Sequence, residues 1–308
     1  MIRIGTASWT DPSLVKSGKF YPKGCSSPEA RLRFYASRFP MVEVDSSYYA
    51  MPSASNAAKW AERTPPDFIF NLKAFRVFTG HQTPKQALPK DIGEALAGHF
   101  ATHRNIYYRD LPAEVRDELW RRFDLALVPL REAGKLRAVH FQFAPWVHAS
   151  RKALAHIEEC QARLPHDLLA VEFRHRSWFD GDQAAQTLAF ERERGLVNVT
   201  VDEPQGFANS IPTVWDVTQP RLAILRMHGR NAGTWNIGGE AASDRFNYDY
   251  SDDELGEVAA AVQGLATQAL EVHVVFNNNY EDQGQRNAAT LQRLTGAAPE
   301  GAGLRQVE

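Results

Sequence analysis

Cysteine is scarce in this sequence: only Cys25 and Cys160 occur among 308 residues. They lie far apart and neither has the spacing of a metal site, so we expect free thiols and a cytoplasmic location. Apolar runs are short, and none approaches the ~20 residues of a membrane helix, so we expect a soluble protein with no membrane partner. The formal net charge is −2, which supplies no overall attraction to nucleic acid or to an anionic membrane.

Familiar catalytic signatures are missing as well. The sequence contains no phosphate-binding glycine loop with Lys-Ser/Thr, no dinucleotide fingerprint, no nucleophile elbow and no zinc helix with paired histidines. Each absence removes a class of enzymes that a short motif would identify. We therefore expect no cofactor and no resident metal, and function has to be sought among ordinary polar side chains.

Short apolar segments rich in β-branched and aromatic residues recur along the chain, separated by helical patterns. The predicted strands are Arg3–Trp9, Met41–Tyr49, Phe68–Phe75, Ala138–Trp146, Leu169–Trp178, Val197–Pro204, Leu222–Arg230 and Val272–Tyr280. The predicted helices are Pro28–Phe39, Ser53–Arg63, Ala113–Ala133, Arg151–Leu164, Asp182–Gly195, Asp252–Ala269 and Gln283–Leu294. Regular β–α alternation indicates a parallel sheet, and eight strands are the number of a closed barrel. We predict an α/β fold, a single-domain TIM (β/α)8 barrel over residues 1–295, with a loose tail over residues 296–308.

Two strand-to-helix connections are longer than a barrel requires. Arg76–Pro112 follows the third strand, and Asn231–Tyr250, which contains Gly233, Gly238 and Gly239, follows the seventh. Both lie on the carboxyl-terminal face, where barrel enzymes keep their active sites. Either they are surface excursions, which loop entropy tolerates, or they form a lid over that face; the shared face favours the lid.

Polar and apolar side chains alternate in seven of the eight predicted strands. Because side chains of a strand point alternately to opposite faces, one set faces the barrel axis and the other faces the helices. The polar set consists of Glu43, Asp45, Asn71, Lys73, His140, Gln142, Glu172, Arg174, Asn198, Thr200, Asp202, Arg226, His228 and Asn277. The apolar set must pack against the helices, so we predict that the polar set points into the barrel and towards its carboxyl-terminal mouth.

The inward charges have two interpretations. Their signs nearly balance, so they could form a structural ion-pair network, which offsets a burial penalty of roughly several kcal/mol per isolated ion. Apolar layers fill a barrel at lower free-energy cost, however, so retained charge favours a functional site. Glu43 and His140 lie deeper and are expected to be structural. The candidate catalytic residues are Glu172, Asp202, Lys73, His228 and Asp45, and the candidate substrate-binding residues are Arg174, Arg226, Arg230, Gln142, Asn277, Trp9, Tyr248 and Tyr250.

A series of short motifs runs through nearly the whole chain. The motifs are Ile4–Trp9, Phe20–Pro22, Val42–Tyr49, Phe70–Ala74, Phe141–Pro145, Glu172–His175, Arg226–Arg230, Tyr248–Tyr250 and Phe276–Asn278. In this order they resemble the bacterial family called domain of unknown function 72, also known as YecE-like. Asn71 departs from the family pattern, which usually has an apolar or aromatic residue there. The resemblance implies a barrel and these motif residues, and it implies no particular reaction.

The chemistry that we favour is metal-free acid–base catalysis on a phosphorylated or carboxylated small molecule. Glu172 and Asp202 would be the general acid and base, because crowding separates the pKa values of neighbouring carboxyl groups. Arg174 and Arg226 would clamp the anion through their forked donors. Lys73 would hold an oxyanion or, with a lowered pKa, form a Schiff base.

Two other classes of function stay open. His228 would carry a proton in the favoured chemistry, but with Asp45, Glu172 and Asp202 it could also bind a metal. Arg104–Arg109 interleaves basic and aromatic residues, as single-strand nucleic-acid binders do, and a phosphodiester-acting or nucleic-acid-binding barrel is the first alternative. A non-catalytic binder of a sugar or nucleotide is the second, and its stacking surface would be an aromatic rim. The rim comprises Trp9, Tyr48, Tyr49, Trp146, Trp178, Trp235, Tyr248 and Tyr250. The sequence leaves the oligomeric state open.

Overall fold

Eight parallel strands close into a barrel in a computed structural model, which describes residues 1–98, 100, 104–236 and 245–297. The strands are β1 (Ile2–Ala7), β2 (Met41–Val44), β3 (Ile69–Lys73), β4 (Leu136–Gln142), β5 (Leu169–Glu172), β6 (Val197–Asp202), β7 (Ala223–Met227) and β8 (Val272–Phe276). Each strand pairs with its neighbour in sequence, and β8 pairs with β1 to complete the circle. The predicted TIM barrel is confirmed.

Helices surround this barrel. Their bounds are α1 (Pro12–Ser17), α2 (Pro28–Ala36), α3 (Ser46–Tyr49), α4 (Ala54–Glu62), α5 (Lys90–Ala95), α6 (Ala113–Glu132), α7 (Arg151–Arg163), α8 (Gln183–Arg194), α9 (Asp252–Ala266) and α10 (Gln283–Thr295). Serine caps begin several of them, because its hydroxyl accepts a hydrogen bond from a free amide of the first turn. Ser251 and Glu254 form a capping box at the start of α9.

All eight strands end earlier than predicted, and the second and fifth strands fall short by the most residues. β2 ends at Val44, and the following Ser46–Tyr49 forms the single turn α3. The Ser47 hydroxyl stabilises this turn by contacting the carbonyl oxygens of Val44, at 2.8 Å, and Lys73, at 2.6 Å. The two tyrosines at the end of this predicted strand therefore belong to a short helical turn that follows β2.

No helix follows β6: residues 203–222, all of which the structure describes, run from β6 to β7 in turns and irregular backbone. This segment packs along the outer side of β6 through polar contacts. The Thr200 hydroxyl donates to the carbonyl oxygen of Val214 at 2.7 Å, and the backbone N–H of Asn198 donates to the Thr218 hydroxyl at 2.8 Å. One side of the barrel is thus covered by irregular chain, which makes polar contacts with β6 and also packs Ile211, Val214 and Val217 against the core.

The two long connections after β3 and β7 are confirmed. The first contains the antiparallel pair Thr83–Pro84 with Asn105–Ile106, together with α5. The second contains Gly238 and Gly239, which lie outside the described residues, as does the predicted tail beyond residue 297. Within the described ranges, no helix has the length and apolarity needed to cross a membrane.

Candidate functional site

Most of the polar strand residues face the barrel axis, as predicted. Phe70 lies on the outside of β3, with its ring 6.4 Å from that of Trp60 in α4. Its neighbour Asn71 points the other way and reaches across the barrel, where its side-chain nitrogen lies 3.0 Å from Nδ1 of His273 in β8. The alternation of a strand therefore divides these residues into a helix-facing apolar set and an axis-facing polar set.

Strand β6 is the exception. In the register of the sheet, Val201 lies beside Arg226, whose side chain faces the axis, so the valines of β6 also face inwards. Its polar residues face the helix-free segment outside, as the contact of Thr200 with Val214 shows. Polar side chains suit this outer face because it meets backbone carbonyls rather than an apolar helix. The prediction that Asp202 points into the barrel is therefore wrong.

Asp202 belongs to a cluster on the outer side of the barrel. Its carboxylate accepts hydrogen bonds from the Arg230 guanidinium at 2.8–3.1 Å and from the Tyr250 hydroxyl at 2.7 Å. Arg230 also contacts Glu254 at 3.1 Å, and the Tyr248 hydroxyl donates to Glu254 at 2.6 Å. These contacts join the start of α9 to the end of β6. The structure thus separates Asp202, Arg230, Tyr248 and Tyr250 from the candidates on the axis.

The predicted aromatic rim divides into buried and exposed members. Trp9 is buried and packs edge-to-face on Trp60 at 5.8 Å, while Trp178 stacks on Phe173 at 4.0 Å. These rings fill space between strands and helices. Tyr49 and Trp146, by contrast, are about half exposed, at 50% and 48%.

The innermost charges form one connected group, the inner network, which consists of Glu43, His140, Glu172, Arg226 and His228. All five are at most 1% exposed. Arg226 bridges two carboxylates, with Nη2 2.7 Å from Glu43 and Nη1 2.8 Å from Glu172. His140 lies between the same carboxylates, at 2.9 Å and 3.1 Å, but at angles unsuited to hydrogen bonding. Burial alone would raise the pKa of Glu43, but the charges of Arg226 and His140 outweigh it and lower the pKa to about 2.

Glu172 uses both carboxylate oxygens. While Oε2 meets Arg226, Oε1 contacts Nε2 of Gln142 at 2.6 Å, Nη1 of Arg174 at 3.0 Å and Nε2 of His228 at 3.1 Å. Burial favours the neutral acid, yet the charge of Arg226 outweighs it and holds the pKa of Glu172 well below its usual range. Glu172 is therefore a fixed anion whose proton-accepting positions are occupied.

His228 is held as one tautomer by its neighbours. Asn277 accepts a hydrogen bond from Arg226 through Oδ1, at 3.3 Å, so its Nδ2 faces Nδ1 of His228 at 2.9 Å. Nδ1 must then accept, which leaves the proton on Nε2, where it is directed at Glu172. Burial lowers the pKa of His228 to about 3, against the opposing effect of Glu172, so the ring is neutral at pH 7.

A second group of polar residues lies farther out, and we call it the mouth cluster: Asp45, Tyr48, Lys73, Arg76 and His81. Lys73 pairs with Asp45 at 2.8 Å. Two cations lie against the ring of Tyr48, Nζ of Lys73 at 4.7 Å and Cζ of Arg76 at 5.0 Å. The His81 ring is 5.1 Å from the same ring. Burial, and then the positive charges of Lys73, Arg76 and Arg174, lower the pKa of His81 to about 3, so its ring is neutral at pH 7.

Glu203 is the inward carboxylate that the sequence pattern did not reveal. It follows Asp202 and so points the opposite way, placing Oε2 3.1 Å from Nη2 of Arg174. Its Oε1 accepts a hydrogen bond from the amide of Ile211 at 2.9 Å. Burial, partly offset by Arg174, raises the pKa of Glu203 to about 7. The alternation of side chains along β6 would have identified Glu203 if the orientation of that strand had been known.

The loop after β7 covers this side of the mouth. Trp235 is 1% exposed and lies between two guanidinium groups, with Cζ of Arg174 at 5.1 Å and Cζ of Arg245 at 4.6 Å. Trp235 and Phe246 lie 6.2 Å and 5.7 Å from the His228 ring. Residues from both ends of the loop therefore pack over the inner network, which favours the lid interpretation of this connection.

The alternative metal site is not assembled from the residues proposed for it. Glu172 and His228 are in contact, but Asp45 pairs with Lys73 and Asp202 faces outwards. In the part of the chain that the structure describes, no three His, Cys, Asp or Glu side chains are grouped as metal ligands would be. Arginine and lysine are interleaved among the carboxylates instead.

Comparison with known proteins gives the family. The model of the family described as "Protein of unknown function DUF72" matches residues 3–307. UPF0759 protein YunF of Bacillus subtilis is 32% identical over 311 residues, covering 100% of this chain and 99% of that protein. A crystal structure of a DUF72 family protein from Enterococcus faecalis has a TM-score of 0.78 at 28% identity and covers 100% of both chains. One from Thermotoga maritima has a TM-score of 0.75 at 28% identity and covers 96% of this chain and 99% of that one. This chain therefore belongs to the domain of unknown function 72 family.

Proposed function

We propose that this protein is an enzyme whose barrel mouth binds a small molecule through a phosphate or carboxylate group and acts on it by acid–base chemistry. The observation that carries the proposal is a pair of buried guanidinium donors, Nε of Arg76 and Nε of Arg174, which have no acceptor among the described residues. A buried donor without an acceptor costs about 1–3 kcal/mol. An anion in the mouth would supply the acceptor, since oxyanions match the planar fork of arginine.

Lys73 would be the third cation of this site. Its ammonium group has three N–H donors and Asp45 takes one, at 2.8 Å, so donors remain for a ligand. The side chain of Asp45 is 21% exposed and that of Lys73 is 8% exposed, whereas the inner network is sealed. This pair therefore lies where a ligand entering from the carboxyl-terminal face would first meet charge, as in other barrel enzymes.

Glu203 is the group best suited to carry a proton. A carboxyl group with a pKa of about 7 populates both protonation states near neutral pH, as a general acid or base requires. Asp45 would be the second carboxylate. In this proposal Glu172 and His228 do not exchange protons with the substrate: Glu172 orients Arg174, and the neutral His228 completes the shell around that carboxylate. The loop with Trp235 would exclude water from the reaction.

The test of anion binding is calorimetry against a panel of phosphorylated and carboxylated small molecules. For a compound that binds, Lys73→Met should weaken affinity about tenfold or more, because a hydrogen bond to a charged group is lost. Lys59→Met, on the exposed face of α4, is the matched control and should bind like the parent. Equal affinity of the two variants would contradict the site.

The test of catalysis is turnover of the bound compound, followed by NMR. Glu203→Gln should abolish turnover and the inflection of the rate near pH 7 while leaving affinity within a few-fold of the parent. Binding without turnover in the parent would make the protein a binder and refute the enzyme. We also propose a cytoplasmic location, which the free thiols of Cys25 and Cys160 support.

A further inference from the structure

Two neighbouring recesses lie beside the mouth, on the rim formed by the long connection after β3. One, of about 750 Å³, is lined by Arg76, Gln82, Lys85 and Arg104. The other, of about 700 Å³, is lined by Gln82, Tyr107, Arg109, Arg116, Trp146 and Lys152. Gln82 borders both, and we call the two recesses together the basic groove.

The basic groove is strongly positive although the protein as a whole has a formal charge of −2. Six of its lining residues are arginine or lysine, and Glu159 is the acidic residue that borders it. Within the described ranges, Arg76, Arg104, Arg116 and Lys152 form no ion pair, and Arg109 has only the exposed Asp110 at 3.5 Å. Unpaired cations along a depression are the electrostatic pattern that a chain of phosphates requires.

Aromatic rings alternate with these cations. Trp146 is 48% exposed and is anchored by a hydrogen bond of its indole nitrogen to the carbonyl oxygen of Gly80, at 3.1 Å. Tyr107 also lines the groove, with the Arg109 guanidinium 5.4 Å from its ring. A half-exposed indole held by a hydrogen bond, with a tyrosine in the same recess, offers bases flat surfaces on which to stack.

We propose that the basic groove binds single-stranded nucleic acid, with phosphates on the arginines and lysines and bases on Trp146 and Tyr107. Charge alone would suit any polyanion, and the stacking surfaces select a ligand that has bases as well as phosphates. This site goes beyond the anion site in the mouth. The two adjoin, since His81 lies 5.8 Å from Trp146 and 5.1 Å from Tyr48, but they use different residues apart from Arg76.

The test measures fluorescence anisotropy of a labelled oligothymidine of about twelve nucleotides, within the site sizes of single-strand binders. Arg109→Glu should weaken binding about tenfold and lower the slope of log affinity against log salt by roughly one unit. Its matched control is Arg221→Glu, which makes the same charge change at an exposed position before β7, at the opposite end of the barrel. The control should bind like the parent.

A second variant separates nucleic acid from other polyanions. Trp146→Ala should weaken oligothymidine binding about tenfold and leave any binding of inorganic polyphosphate unchanged. Equal losses in Arg109→Glu and Arg221→Glu would overturn the site, and polyphosphate competing as well as the oligonucleotide would overturn the ligand. Lys73→Met distinguishes the two proposals, because it should weaken small-anion binding while oligothymidine binding persists.

Discussion

The inner network and the mouth cluster arise from the same alternation of polar residues along the strands, yet their surroundings differ. In the inner network, Glu43 and Glu172 are sealed from solvent, and both oxygens of Glu172 and Oε1 of Glu43 accept hydrogen bonds at 3.1 Å or less. In the mouth cluster, the side chain of Asp45 is 21% exposed and that of its partner Lys73 is 8% exposed. Depth along the barrel axis therefore divides one polar pattern into a structural layer and a layer with free binding capacity.

This division decides between the two interpretations of the inward charges. A buried ion that has several partners is costly to disturb, because removal of one partner leaves the others buried and unpaired. A partly exposed pair contributes little to stability, since water and salt screen it. Stability and binding should therefore respond to substitutions in different layers, with the largest effects on stability in the inner network and the smallest in the mouth cluster.

The largest effect is expected for Arg226→Met. This change keeps the length of the side chain but leaves Glu43 and Glu172 buried without their shared cation. Loss of one partner of a buried pair costs about 3–5 kcal/mol, which lowers the melting temperature by roughly 6 °C or more in a chain of this size. Thermal unfolding followed by circular dichroism measures it. A fall below about 2 °C would mean that the network does not stabilise the barrel.

Lowering the pH should destabilise the protein through the inner network rather than through the mouth cluster. The pKa of Glu43 is lowered to about 2 in the folded protein, below its ordinary value of 4.5. Its stabilisation is therefore fully present above pH 4.5 and is lost as the pH falls towards 2, by about 3 kcal/mol in total. The melting temperature should fall over this range in the parent and in Asp45→Asn alike. A flat profile between pH 5 and pH 3 would contradict the assignment.

Glu191 sharpens the comparison because it is as buried as Glu172 but has no hydrogen-bonding partner for either oxygen among the described residues. Burial raises the pKa of Glu191 well above its ordinary value. Stability linked to this group is present at low pH and is lost as the pH rises. Glu191→Gln should therefore raise the melting temperature at pH 8 by about 2–4 °C, and by less at pH 5. An equal effect at both values of pH would show that ionisation is not the cause.

The smallest effect on stability is expected in the mouth. Lys73→Met should change the free energy of unfolding by about 1 kcal/mol or less, because the side chain of Asp45 is 21% exposed and water can solvate it when Lys73 is lost. The same variant is the one expected to lose anion binding. A fall in melting temperature as large as that of Arg226→Met would place Lys73 in the structural layer.

The barrel could be predicted from the sequence because each strand pattern is local. Strand β3 alternates Phe70 and Leu72 with Asn71 and Lys73, and this pattern alone assigns the two faces. Strand ends were less predictable: the strand predicted to reach Tyr49 ends at Val44, and Ser47 in the turn that follows contacts Lys73, 26 residues away. Such a contact leaves no local signal.

The candidate site was predicted well in composition and less well in arrangement. Asp202 was placed inside because its strand alternates like the others, although the missing helical pattern between residues 204 and 222 was a signal that the outer face of β6 is unusual. The same error hid Glu203. Some inward carboxylates have all their hydrogen-bonding positions occupied by protein groups, and others can still bind a ligand. The difference depends on depth in the barrel and on contacts between strands, such as that of Glu172 with Arg226. The pattern of a single strand encodes neither.

The measurement that most directly tests the division into two layers is the melting temperature of Glu172→Gln beside that of Asp45→Asn. Each change removes one negative charge and keeps the shape of the side chain. Because Glu172 is sealed among several partners and Asp45 is not, Glu172→Gln should melt at least about 6 °C below the parent and Asp45→Asn within about 2 °C of it. Equal shifts, or a larger fall in Asp45→Asn, would contradict the assignment of the inner network to stability and of the mouth to binding.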